Sequence, residues 1–311
     1  MRVPFKKLFQ AVALVCVLLA VFLGMNCKKQ EETVPVKEIT QDVFHIGLIP
    51  EHNIFSQKKR YEPLAAYLSK KIGMKVELVI LSRYGNIIDN FTVKNLEGAF
   101  FGSFTATLAH KRLGLETLAR PEWSNGVSSY HGLIFVRKDS GIRNINDMQG
   151  KRFAFVDKAT TAGWLLPMYY FKTHSVKDYR SLLKETYFAG THEGAISDVL
   201  DKKADIGAAK NTVFERLAEK NQRIAQELLI LARSPNVPAN GLCIRKDIDD
   251  KLKTELKETL LNMDQDTEGK VVLKGFGAKR FIATSIADYA PVLEYAAQIG
   301  LDLSNYDYMN D

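Results

Sequence analysis

Phe153-Ala-Phe-Val-Asp157-Lys-Ala-Thr160-Thr161-Ala162-Gly163-Trp164-Leu-Leu-Pro167-Met-Tyr-Tyr170 reads as strand, loop and helix. An apolar β-type run ends in Asp157. A short loop with two hydroxyls and a glycine follows. Trp164, Leu165, Met168 and Tyr169 then recur at helical spacing. Thr160 and Thr161 stand where a side chain can cap that helix. Its first backbone N–H groups have no partner inside it. Those donors and the positive end of the helix dipole favour an anion. Capped helices are common, so the stretch alone leaves two readings open: an anion cradle or a plain helix start.

The flanking chain has the same rhythm from residue 43 onward. Strands are expected at 44–49, 76–81, 98–101, 130–137, 153–156, 186–188, 205–209, 228–232 and 240–245. Helices are expected at 61–72, 84–91, 104–113, 161–174, 192–202, 211–219, about 247–263, 266–273 and 286–299. Alternating β and α elements argue for parallel sheets with covering helices. The chain crosses between two α/β lobes near Tyr130 and again near Pro238. Ligands in such sheets lie beyond the carboxyl ends of the strands, and two facing lobes close on a ligand by a hinge.

Four further segments carry a resemblance. These are Ile46-Gly-Leu-Ile-Pro50, Tyr130-His-Gly-Leu-Ile-Phe-Val-Arg-Lys-Asp139-Ser140, Ala189-Gly190-Thr191-His192-Glu193 and Ser234-Pro-Asn-Val-Pro238. With Asp157-x-x-Thr-Thr-Ala-Gly-Trp-x-x-Pro, they resemble the phosphate/phosphonate-type substrate-binding proteins of ABC importers over most of residues 44–301. The resemblance implies a type II periplasmic-binding-protein fold with two α/β lobes, each a mainly parallel sheet with flanking helices. Lobe 1 would be 43–131 plus 238–311, and lobe 2 would be 132–237. It also implies capture of a small oxyanion in the cleft, an ABC permease as partner, and no catalysis. A lipoprotein of the same fold that reports its ligand to a membrane-bound kinase is the alternative.

The resemblance also assigns ligand residues. Tyr84 and Tyr130 match two family tyrosines; for each, packing in the core is the other reading. Thr160 and Thr161 match a Ser-Thr pair, while Ala162 departs from a third hydroxyl. His192 opens a helix at the same edge as Thr160, where an imidazole can donate to an oxyanion. Asp205 is either a ligand acceptor or structural. Glu193 reads as a first-turn carboxylate. Members that bind aminoalkyl phosphonates carry two acids, where this chain has Thr212 and Val213, and Asn240. A buried ammonium without a partner is costly. Phosphate, phosphite or a small alkylphosphonate is therefore expected, with Asn240 among the ligand residues. Arg83 and Lys210 could add charge, although both look solvent-prone.

The N-terminal segment is separate. Arg2, Lys6 and Lys7 precede an apolar run from Leu8 to Phe22, as in an export signal. Leu23-Gly-Met-Asn-Cys27 resembles a lipoprotein cleavage site, with Gly24 and Asn26 as departures. Residues 1–27 are read as a signal peptide with Cys27 acylated, and 28–42 as a polar tether. An uncleaved anchor is the other reading, since about 18 apolar residues can just span a bilayer. Either way the folded part lies outside the cytoplasmic membrane, as a periplasmic or cell-surface protein.

Composition limits the alternatives. Of 311 residues, 46% are hydrophobic and 25% charged, as in ordinary globular proteins. The net charge is +7, but without Arg2, Lys6 and Lys7 there are 40 basic against 36 acidic residues. No basic stripe with interleaved aromatics is present, so nucleic acid is not an expected partner. Cys16 and Cys27 belong to the N-terminal segment. Only Cys243 remains, so no internal disulfide is expected. There is no Gly-x-Ser-x-Gly or His-Glu-x-x-His, and the six histidines show no recurring ligand spacing. No cofactor or metal is expected, and the protein should be a monomer.

Overall fold

Alternation sets the first strand: Phe44, Ile46 and Leu48 of β1 (Thr40–Leu48) share one face and are buried. The computed structural model describes residues 40–51, 53–81 and 87–310. The proposed signal peptide with Cys27, most of the tether, and Arg83 and Tyr84 lie outside the described residues.

Helix α1 (Ile54–Ile72) begins well before residue 61 because Asn53 caps it, its side chain accepting the Phe55 N–H at 3.0 Å. It ends at Gly73, whose φ of 68° is left-handed. Strand β2 (Met74–Ile80), helix α2 (Ile87–Val93), strand β3 (Gly98–Phe101) and helix α3 (Ser103–Leu113) follow. Strand β4 (Glu116–Trp123) was not expected from the sequence, since it carries Pro121 and four charged or polar residues. With β12 (Gly241–Ile244) and β13 (Ala278–Ala283) these strands form one sheet in the order β13-β4-β12-β3-β1-β2. Only β1 with β2 and β1 with β3 are parallel; β12 runs against β3 and β4, and β13 against β4. Helices α9 (Asp250–Leu261), α10 (Thr267–Phe276) and α11 (Ala290–Gln298) belong to the same part of the chain.

The crossing between lobes is a short ribbon. Strand β5 (Ser129–Tyr130) pairs antiparallel with β11 (Val237–Pro238). The expected single strand at 130–137 breaks at His131. There Asn211 takes both backbone groups: His131 N donates to Asn211 Oδ1 at 2.9 Å and Asn211 N to His131 O at 3.0 Å. Strand β6 (Gly132–Arg137) then enters the second sheet with β7 (Arg152–Phe155), β8 (Glu185–Phe188), β9 (Ile206–Lys210) and β10 (Leu228–Arg233), in the order β10-β6-β9-β7-β8. Helices α4 (Leu166–Thr173), α5 (Tyr179–Leu182), α6 (His192–Leu200), α7 (Asn211–Lys220) and α8 (Gln222–Glu227) lie between its strands in the sequence. Here too β6 runs antiparallel to β9 and β10, while β7 is parallel to β8 and β9.

Both sheets are thus mixed, which corrects the expectation of mainly parallel ones. The first long strand after each crossing, β6 and β12, runs against its neighbours, and β13 runs against β4. The two-lobed α/β architecture itself is as expected.

The lobes touch. Ile49, Phe101 and Phe104 from the first, Tyr130 from the ribbon, and Leu133, Ala162 and Leu165 from the second form one buried apolar cluster. The stretch 302–310 joins them from another side. Tyr306 Oη donates to Lys158 O at 2.8 Å, and Asn310 Nδ2 to Asp157 Oδ2 at 2.6 Å. Tyr308 Oη reaches Asp89 of α2 at 3.0 Å, and Arg112 of α3 donates to the Tyr306 carbonyl.

Candidate functional site

The turn after β7 is built around Asp157. Its Oδ1 accepts the Ala159 N–H at 2.8 Å, and its carbonyl accepts Thr160 N at 3.0 Å and Thr160 Oγ1 at 2.6 Å. Thr160 therefore spends its hydroxyl on the loop and makes no side-chain cap, which corrects half of the capping expectation. The helix does not start as an ordinary α-helix. Thr161–Leu165 form a wide π turn that passes into α4. Such turns are frequent at functional sites. Gly163 lets this turn lie against β7: a Cβ there would sit 2.3 Å from the Cβ of Val156.

Thr161 faces the other lobe. Its hydroxyl accepts the Phe104 N–H at 3.0 Å, at the start of α3. Thr105 Oγ1 donates to Ala159 O at 3.0 Å beside it. Two helix starts thus meet across the cleft, one from each lobe. Sequence reading missed the α3 start, although Gly102-Ser103-Phe104-Thr105 follows a strand and opens a helix as Thr160-Thr161 does. Tyr130 is buried next to both. Burial pushes its phenol above the ordinary value, and the neighbouring Ser103 and Thr161 oppose that shift.

His192 is the first residue of α6, after Thr191, whose hydroxyl caps the helix by accepting Gly194 N at 2.8 Å. The Lys210 backbone N–H donates to His192 Nδ1 at 3.3 Å. A backbone N–H can only donate, so Nδ1 is the acceptor and Nε2 carries the proton. The imidazole is thereby set as a neutral donor at Nε2.

Lys210 ends β9 and is fully inside, 3% exposed. This overturns its solvent-prone reading. Its Nζ donates to Glu51 Oε1 at 3.0 Å and to Asn240 Oδ1 at 2.8 Å, and lies 4.2 Å from the centre of the Tyr130 ring. Burial pulls its pKa below the ordinary value, and Glu51 opposes that shift. The partnership could not be read from sequence, because Glu51 lies 159 residues away. Glu193 also reaches across: its Oε2 accepts the Asn53 N–H at 3.0 Å.

The structure therefore gathers Tyr130, Thr160, Thr161, His192 and Asn240 in one buried region, with Lys210, Glu51 and Ser103 added. Asp205 is not among them, a correction to its place in the expected site. It precedes β9 at the end opposite Lys210, about 16 Å of strand away. Its carboxylate accepts Arg152 N at 2.9 Å, Nε at 3.2 Å and Nη2 at 3.1 Å. Although burial works the other way, those bonds hold its carboxyl below the ordinary value. Tyr84, as noted, lies outside the described residues. Thr212 lines a small cavity beside Lys210, while Val213 is buried in the core.

That cavity is about 10 Å³, the space of about one water. Larger hollows of about 340 and 520 Å³ lie elsewhere, one beside Phe91 and Arg245, the other between α3 and α11. Neither is lined by a residue of the gathered group. Bound polar groups here would meet N–H and O–H donors from two helix starts, a phenol and an imidazole. That set suits an oxyanion.

Comparison with known proteins agrees with the fold. The profile of a family described as the periplasmic substrate-binding protein of phosphonate ABC transporters matches residues 46–289. The phosphonates-binding periplasmic protein of Escherichia coli is 26% identical over 264 residues, covering 83% of this chain and 77% of its own. A crystal structure of a binding-protein component of an ABC phosphonate transporter from Pseudomonas aeruginosa superposes with a TM-score of 0.77 at 25% identity, covering 84% of this chain and 87% of its own. A Prochlorococcus marinus protein in complex with methylphosphonate has the same fold, with a TM-score of 0.74 at 22% identity over 83% and 98% of the two chains. The match spans most of the described residues, and this chain belongs to the phosphonate-type periplasmic substrate-binding proteins of ABC transporters, a family of transport proteins rather than enzymes.

Proposed function

We propose that the cleft captures a compact phosphorus oxyanion, phosphate, phosphite or a small alkylphosphonate, and presents it to an ABC permease. One observation carries this reading. Two helix starts, the Tyr130 phenol and the His192 imidazole converge on one buried region whose Lys210 stands where a cationic ligand would need an acid. Tyr130, Thr160, Thr161, His192 and Asn240 are the proposed ligand residues, and Tyr84 would join them. The proposed lobes are 43–131 plus 238–311, and 132–237. The ribbon of β5 and β11 would be the hinge.

Calorimetry on the purified protein should rank phosphate, phosphite or methylphosphonate above aminoethylphosphonate. Solution scattering should show compaction with the bound ligand and no turnover. An aminoethylphosphonate preference would sink the compact-oxyanion reading.

The same reading places the protein at a membrane by a lipid on Cys27, after residues 1–27 and a tether to residue 42. Its support is the charged, then apolar, then Cys27 order of the N-terminal segment. Cys27→Ser should leave precursor or an unacylated product by mass spectrometry. Acyl chains on the variant would show that Cys27 is the wrong residue.

A further inference from the structure

The Lys210 ammonium sits in a cage made for an ammonium. Glu51 Oε1 at 3.0 Å supplies an anion, Asn240 Oδ1 at 2.8 Å a neutral acceptor, and Tyr130 an aromatic face at 4.2 Å. A primary ammonium offers three N–H donors and a charge for these partners. The cage is buried: Glu51, Tyr130 and Asn240 are 7%, 4% and 5% exposed. Its walls also come from a different part of the chain than its occupant. Glu51 follows β1, Asn240 precedes β12 and Tyr130 lies in the ribbon, while Lys210 reaches over from the end of β9 in the other sheet.

We infer that this cage is a primary-ammonium subsite of the cleft, which the chain fills with its own lysine. Lys210 is thus a specificity-determining residue. The consequence for ligand choice rests on the oxyanion reading above. With the seat taken, the amine of an aminoalkyl phosphonate finds no acceptor there. It meets instead a cavity wall that carries Arg60 and Arg216 beside Lys210. The remaining space, about 10 Å³, admits no ligand chain. Removing the lysine side chain empties the seat and leaves its acceptors in place.

The test uses the full-length protein in detergent and the variant Lys210→Ala, with Lys210→Ser as the replacement where the alanine variant does not fold. The first readout needs no phosphorus ligand. Ethylammonium chloride should raise the melting temperature of the variant above that in sodium chloride of equal ionic strength, and should leave the parent unchanged. The second is the ratio of aminoethylphosphonate to methylphosphonate affinity. It should rise by about tenfold or more in the variant, as expected for a restored charge-assisted bond. Adding Glu51→Gln should remove most of that gain. Protection by ethylammonium no better than by sodium, or an unchanged ratio, overturns the inference. If ethylammonium protects and neither phosphonate binds parent or variant, the ammonium seat stands and the oxyanion reading falls.

Discussion

Thr161→Val is expected to weaken oxyanion binding by about ten- to a hundredfold, which corresponds to roughly 1.5–3 kcal/mol. Valine keeps the shape and removes the hydroxyl. Two losses combine. The cradle loses an O–H donor for a charged oxygen. The Phe104 N–H, 3.0 Å from Thr161 Oγ1, loses its acceptor in the described arrangement. That second loss applies when the lobes are together, since an open cleft lets water reach the amide. The variant should therefore bind less and also compact less in scattering, with little change in the unliganded melting temperature. His192→Ala should weaken binding at least as much, because Nε2–H is the donor that the Lys210 N–H sets in place. Parent-like affinity in both variants would reduce Thr160-Thr161 to a helix start with no ligand.

Gly163→Ala should cost about 3 kcal/mol of stability or more, at the upper end for overpacked cores. The added Cβ would lie 2.3 Å from Val156 Cβ, 2.4 Å from its Cγ2 and 2.8 Å from Thr160 Oγ1. None of these is the far end of a flexible chain. Val156 is itself fully buried, so the turn and β7 must separate. The separation would move the cradle as well, so denaturant midpoint and oxyanion affinity should fall together. A variant with the parent's midpoint would mean that the wide turn shifts without resistance.

Much of this arrangement was legible because it is local. Residues 98–101 alternate with nothing and are simply apolar, and they are a buried strand. His192 was legible because a Gly-Thr-His turn between strand and helix leaves little choice of position. The failures are non-local. Lys210 follows an apolar strand and looks like its solvated end, and only Glu51, Asn240 and Tyr130, brought from elsewhere, make it an interior cation. Asp205 was misplaced by one strand length, since an acid beside an apolar run gives no sign of which end faces the cleft. Strand β13 was hidden by Lys279 and Arg280, which point outward while Ala278 and Phe281 are buried.

The contacts of the stretch 302–310 bear on how the lobes can move. Two bodies joined only by a narrow ribbon can swing and also twist about it. A third attachment away from the ribbon removes part of that freedom. Asn310 and Tyr306 hold the Asp157-Lys158 loop, while Tyr308 and the Tyr306 carbonyl are held by α2 and α3. The loop they grip is the one that carries Thr160 and Thr161. If the lobes open about the ribbon as proposed, this grip would steer the swing toward a single path and return the two helix starts opposite each other in register.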